Sequence, residues 1–179
     1  MRHLLFSAGL ILALSVAAPA QEAAEDKGEV PMTPERLGEI VLALDPEATA
    51  GGPGWQLRVA GATILLVMDP SSDRMRAMVP IRGADDLPPE DLERMMQANF
   101  DTALDGRYAI ANGIVWAAFI HPLESLEKNQ LISGIGQIVN LASSYGTLYS
   151  GGALQFGAGD SGALQRDLIR DLLKKGEEI

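Results

Sequence analysis

The sequence predicts a single α+β domain in which helices pack on an antiparallel sheet. Apolar residues recur at helical spacing around residues 33–45 and 87–106, and they alternate with polar residues within residues 54–83. The dipeptide Asn112-Gly113 between two apolar runs is the strongest short signal for a β-hairpin. The predicted order is helix, three antiparallel strands, helix, β-hairpin, helix, then a glycine-rich tail and a C-terminal amphipathic helix.

The first 20 residues are typical of a cleaved export signal. Arg2 precedes an apolar run that ends in Ala18-Pro19-Ala20, so we expect cleavage between Ala20 and Gln21. The run is shorter than the roughly 20 apolar residues of a spanning helix, and no membrane span is expected in the mature chain. We expect a periplasmic or secreted protein with a flexible acidic leader at 21–32.

Composition excludes several classes of function. The formal net charge is −10, which disfavours nucleic acid as a partner because phosphate binding needs clustered Lys and Arg. The chain has no cysteine, which excludes thiol catalysis, cysteine-ligated zinc and disulfides. No cofactor or metal site is expected: the acidic residues are scattered and form no calcium-binding loop.

Two amphipathic helices frame the first strands. The first has Thr33 as N-cap and Pro34 at its first position, and it ends at Asp45-Pro46. Its apolar positions are Leu37, Ile40, Val41 and Leu44. The second stops at Gly106, and its apolar stripe comprises Leu92, Met95, Met96, Phe100, Ala103 and Leu104.

The strands alternate between two faces. In one strand Trp55, Leu57 and Val59 share a face, and in a later strand Met75, Ala77, Val79 and Ile81 share a face. Pro80 cannot donate to a ladder, which predicts an edge or a bulge there. In the hairpin, Tyr108, Ile110, Val115 and Phe119 share one face, and Ala109, Ile114, Trp116 and Ile120 share the other. Because both hairpin faces are apolar, we expect a second chain or a docked segment on one of them.

The last two helices leave one question open. Gly134 and Gly136 inside the third helix predict close packing on the sheet, since glycine costs roughly 1 kcal/mol there relative to alanine. After the glycine-rich segment, the apolar side of the final helix fits either its own domain or a partner.

Residues 95–149 resemble the second half of the type III secretion chaperone-like fold, which effector chaperones share with YbjN-like regulators. The resemblance is carried by "ANF" near the end of the second helix, the Asn-Gly hairpin, and "HPLESL" before the last helix of the fold. With the more weakly matched first helix and strands, it covers residues 33–149. The export signal and the tail at 150–179 lie outside this pattern, so we expect an envelope relative.

This resemblance implies a non-enzymatic module, often a homodimer, that holds an extended segment of a protein or peptide client on apolar patches. The candidate contacts for a client or a second copy lie on the hairpin, the preceding strand and the second helix. They are Ile114, Trp116, Ile120, Met78, Arg76, Met95, Met96 and Phe100. Methionine suits such a surface because its thioether is flexible and polarisable.

An envelope serine hydrolase is the alternative from a different class. Gly159-Asp160-Ser161-Gly162 matches the tetrapeptide around a protease nucleophile, and Ser125 begins an S-x-x-K motif. Either serine would need His121 as its base. We interpret His121 as the end of a strand before Pro122 and Ser125 as a helix N-cap. We interpret Gly159–Gly162 as a turn that caps the last helix through Asp160 or Ser161. A small-ligand sensor domain is the remaining alternative.

Overall fold

The computed structural model describes residues 29–85, 87–101, 104–144 and 161–177. The predicted export signal, most of the predicted leader and the glycine-rich segment therefore lie outside the described residues. The described chain forms an α+β fold, as the sequence predicts, with four α-helices and a six-stranded antiparallel sheet that has one strand more than predicted.

The four helices follow the predicted order. They are α1 (Pro34–Leu44), α2 (Pro89–Asp101), α3 (Lys128–Ser144) and α4 (Ser161–Gly176). Helix α1 confirms its predicted signals, since Thr33 caps it by accepting from the Arg36 backbone N–H and the helix ends before Asp45. Helix α3 begins at Lys128, so the interpretation of Ser125 as its N-cap was wrong. Residues 122–127 form a turn anchored by the buried Leu126.

The sheet has the strand order β1-β2-β3-β4-β6-β5. The strands are β1 (Thr49–Gly51), β2 (Gly54–Val59), β3 (Ala62–Asp69), β4 (Arg74–Gly83), β5 (Arg107–Ala111) and β6 (Ile114–His121). Strand β1 was not predicted, because three exposed residues that pair only with β2 carry no alternating pattern. The other five strands match the three predicted strands and the hairpin.

The hairpin has the predicted register. Ala111 pairs with Ile114 and Ala109 with Trp116, and both Asn112 and Gly113 have positive φ, as a type I′ turn requires. Pro80 lies at the predicted bulge: the pairing of β4 with β6 shifts between Pro80 and Arg82. The missing N–H of Pro80 is tolerated there because the pairing of β3 with β4 ends at Met78.

One face of the sheet, the inner face, forms the core with α1 and α3. Its buried side chains are Leu57, Val59, Ile64, Leu66, Met68, Met75, Ala77, Val79, Val115, Ala117 and Phe119. Gly134 allows α3 to approach the sheet, since a Cβ there would lie 2.6 Å from the Phe119 ring. Gly136 instead faces α4, where a Cβ would lie 2.7 Å from Ile169, so its predicted packing on the sheet was wrong.

Helix α4 packs on its own domain, which answers the question that the sequence left open. Its Leu172 is buried in the same core as α3, and the Lys128 ammonium donates to the Gly176 carbonyl at 2.9 Å. No helix within the described residues is both long and apolar enough to cross a membrane.

Residues of the predicted leader that precede Thr33 also contact the fold. Met32 is buried, and its N–H donates to the Glu124 carbonyl at 3.2 Å. Glu29 pairs with Arg36 and also accepts from the Lys128 backbone N–H at 3.0 Å. Residues 29–32 therefore belong to the folded domain.

Candidate functional site

The outer face of the sheet is opposite α1 and α3. Strand registers place its side chains in rows, with Leu65 beside Met78 and Ala118 in one row and Val67 beside Arg76 and Ile120 in the next. Ile120 is 54% exposed and Val67 is 39% exposed. Val67 and Ile120 therefore face solvent, whereas Leu65 and Met78 are half-buried and Ala118 is buried.

A groove of about 450 Å³ crosses the outer face over β3, β4 and β6. We call it the outer groove, defined by Val67, Asp69, Arg74, Arg76, Met78 and Ile120. Three of the residues proposed from the sequence, Arg76, Met78 and Ile120, thus lie together in one concave surface. They are brought together because β4 pairs with β6, so that Arg76 is the direct partner of Ile120.

Ile114 and Trp116 lie on the same face, nearer the hairpin turn. Trp116 pairs with Pro80 and is half-buried, and its indole N–H donates to the Ala111 carbonyl at 3.1 Å. This hydrogen bond ties the indole to the hairpin, so Trp116 has a structural role in addition to any contact it makes. Neither residue lines the outer groove.

The candidates on α2 divide between core and surface. Met95 is 1% exposed and packs in the core, so it is not available to a partner in this fold. Leu92, Met96 and Phe100 are exposed, and each lies one helical turn from the next. We call these three residues the α2 stripe. Helix α2 lies beside the edge strand β5, and none of these residues lines the outer groove.

The outer groove carries two cations on a protein of net charge −10. Arg74 and Arg76 are exposed, and neither forms an ion pair with a described residue. The acid of the groove is Asp69, whose carboxylate accepts from Ser71 Oγ at 2.6 Å and from the N–H groups of Ser71 and Ser72. The hydrogen bonds from Ser71 and Ser72 lower the pKa of Asp69 and keep it ionised.

His121 lies on the inner side of β6, at the edge of a second cavity of about 500 Å³. Its Nδ1 contacts the Pro122 carbonyl at 2.8 Å, and its ring stacks on Phe119 with centroids 5.9 Å apart. The cavity is also lined by Asp105, Arg107, Ile120, Asn129, Gln130 and Ser133. Ser125 does not line it, and the side chain of Ser161 lies outside the described residues. The described residues contain no cluster of His, Asp and Glu that could hold a metal ion.

Two amides that the sequence analysis missed organise the backbone near these surfaces. The side chain of Gln137 is buried and accepts from the N–H groups of Asp105 at 2.7 Å and Gly106 at 2.9 Å. Asn99 on α2 pairs with both backbone groups of Tyr108, accepting at 2.7 Å and donating at 3.1 Å. A polar residue on an apolar helix face was the available signal for Gln137.

The comparisons with known proteins give a partial likeness to solved structures. No family model and no curated protein matches the chain. Among solved structures, the chain is similar to one described as "Structure of the HopA1-SchA Chaperone-Effector Complex". The TM-score is 0.44 at 12% identity, and the match covers 55% of this chain and 78% of that one. A likeness at this level does not indicate a function, and membership of the YbjN-like family is not shown.

Proposed function

We propose that the protein is a non-enzymatic, chaperone-like module that holds an extended segment of a client protein on the outer face of its sheet. The observation that carries this proposal is the outer groove, where Val67, Met78 and Ile120 form an apolar surface without a helix of the described chain over it. Exposed apolar patches of this kind mark interaction sites, because leaving them in water is unfavourable.

A peptide array tests this function. The array carries overlapping peptides of unfolded model proteins, and binding of the purified protein is compared with that of Ile120→Ser. Leu42→Ser is the matched control, since Leu42 is an exposed leucine on α1. We expect wild type and Leu42→Ser to bind the same apolar peptides and Ile120→Ser to lose most of this binding. Equal binding by all three proteins, or by none, would contradict the proposal.

The α2 stripe supports self-association as part of this function. Leu92, Met96 and Phe100 form an apolar strip on a helix whose other side is already used for the core, and Phe100 is 67% exposed. A second copy would bury both strips in a symmetric contact. We expect sedimentation velocity to show a dimer that Phe100→Ser converts to a monomer and that Leu42→Ser leaves intact. A wild-type monomer at high concentration would exclude this arrangement.

The proposal includes export and the absence of catalysis. Mass analysis of the mature protein tests export, and we expect the chain to begin at Gln21. Serine-directed fluorophosphonate labelling tests catalysis, and we expect none. Labelling that disappears in Ser161→Ala or Ser125→Ala would favour the hydrolase.

The cavity beside His121 is the observation that favours a small-ligand sensor, because His121, Arg107 and Asn129 line a concave polar surface. A thermal-shift screen tests it. A ligand whose stabilising effect disappears in Asn129→Ala would make this cavity a binding site.

A further inference from the structure

We infer that the outer groove selects acidic, apolar segments: an extended stretch of a protein partner that carries carboxylates and aliphatic side chains on the same side. This inference rests on the proposed function and specifies the partner's chemistry. The expected occupant is a segment of a protein partner, because the groove and an acidic segment carry opposite charges.

The sign of the groove's charge is opposite to that of the whole protein. The chain has 24 acidic and 14 basic residues, yet Arg74 and Arg76 stand two residues apart on the outer face of β4. Alternate residues of a strand share a face, so Arg74 and Arg76 project from the same side of β4 and their like charges repel each other. A carboxylate placed between them would relieve this repulsion.

Asp69 does not fill that role. It is the Cα partner of Arg74, but its carboxylate is hydrogen-bonded within the turn that follows β3, by Ser71 and Ser72. The Arg74 guanidinium donates to the Asp73 carbonyl at 3.0 Å and forms no ion pair with a described residue. The groove therefore keeps a net positive charge toward a partner.

The apolar side chains of the groove specify the rest of the partner. Val67 and Ile120 flank Arg76 in the same row, and Met78 lies next to them on β4. Successive side chains of an extended segment point to opposite sides. A segment that carries both aliphatic and acidic side chains on one side would place the aliphatic ones on these residues and the carboxylates on the arginines. The groove is aliphatic, whereas single-stranded nucleic acid is held by aromatic stacking, so a peptide fits better than RNA.

Four labelled peptides of equal length test the inference by fluorescence anisotropy with the purified protein. Every second residue is Ser, and the residues between alternate Val with Glu, Val with Gln, Val with Lys, or Ser with Glu, so that both kinds share one side of the extended peptide. We expect the Val/Glu peptide to bind most tightly, the Val/Gln peptide more weakly, and the Val/Lys and Ser/Glu peptides least. The preference for Glu over Gln should decrease as salt is added, because exposed charges are screened.

The arginine variants locate the effect. Arg76→Gln should weaken binding of the Val/Glu peptide by about fivefold and leave the Val/Gln peptide unchanged, as expected for one exposed ion pair. Arg166→Gln is the matched control, since Arg166 is an exposed arginine on α4, outside the outer groove. It should change neither affinity.

The outcomes separate this inference from the proposed function. If Val/Glu and Val/Gln bind equally and both depend on Ile120, the groove binds apolar segments without selecting acids, and only this inference fails. If no peptide binds, the inference and the proposed function both fail. Tighter binding of a single-stranded oligonucleotide that requires Arg76 would also overturn the inference and identify a nucleic-acid site.

Discussion

The inner and outer faces of the sheet use the same strands but are covered differently. On β4, Met75 and Ala77 are buried beneath the helices, whereas Arg74 and Arg76 on the opposite face are exposed. Adjacent residues of a strand have similar backbone conformations but point to opposite faces, so their difference in burial arises from what packs on each face. The inner face supplies stability, and the outer face is available for binding.

The largest expected effect compares two neighbours on β3. Leu66 on the inner face is 1% exposed, and Val67 on the outer face is 39% exposed. We expect Leu66→Ala to lower the free energy of unfolding by about 2–5 kcal/mol because it leaves a cavity, and Val67→Ala to lower it by less than about 1 kcal/mol. Chemical denaturation measures both. Equal losses would mean that the outer face is also core.

A smaller effect is expected at the buried amide of α3. Gln137→Leu removes the acceptor for the N–H groups of Asp105 and Gly106, and leaving buried donors without partners costs about 1–3 kcal/mol. Gln97→Leu on the exposed side of α2 is the control and should be near neutral. The account of this network fails if the two variants are equally stable.

Asn99 should contribute somewhat less. Asn99→Ala removes two hydrogen bonds to the Tyr108 backbone, and because Asn99 is only half-buried, water can replace them and the loss should be about 0.5–1.5 kcal/mol in all. Because the amide occupies the outward side of the edge strand β5, its loss should also speed hydrogen exchange at the Tyr108 N–H. Asn129→Ala, an exposed change on α3, should leave that exchange rate unaltered. An unchanged exchange rate in Asn99→Ala would show that Asn99 does not protect the Tyr108 N–H.

The smallest effect concerns pH and the turn that ends the outer groove. Hydrogen bonds from Ser71 and Ser72 lower the pKa of Asp69 below its ordinary value of 3.8. A carboxyl with a lowered folded pKa stabilises the fold above about pH 4 and loses this contribution as the pH falls through the folded value. Asp69→Asn should therefore flatten the dependence of unfolding free energy on pH below pH 4. An unaltered pH dependence would contradict this.

The sequence predicted correctly those elements whose limits depend on residues close together in the chain. The limits of α1 follow from Thr33 and Asp45-Pro46, and the hairpin register follows from Asn112-Gly113. Arg76 and Met78 were expected from the sequence as possible neighbours of the hairpin residues, but the register of β4 with β6 could not be predicted, because it joins distant segments and depends on the global fold. That pairing is what places Arg76 beside Ile120 and creates the outer groove.

The apolar stripe of α2 shows that prediction of the candidate contact residues from the sequence has the same limit. The sequence grouped Met95 with Met96 on one apolar stripe of α2, but the structure buries the first and exposes the second. Both lie within a stripe wider than the surface that α2 has to cover beside β5. Which methionine packs inward is determined by the neighbouring elements, so sequence spacing alone could not separate a core residue from a surface contact.

The most direct test of the account is methyl NMR of the protein during titration with the Val/Glu peptide. The account predicts that the signals of Ile120, Met78 and Val67 shift with peptide concentration, whereas those of the buried Ile64 and Ile135 on the inner side stay in place. Shifts confined to the α2 stripe, or no shifts at all at saturating peptide, would contradict the claim that the outer face of the sheet is the binding surface.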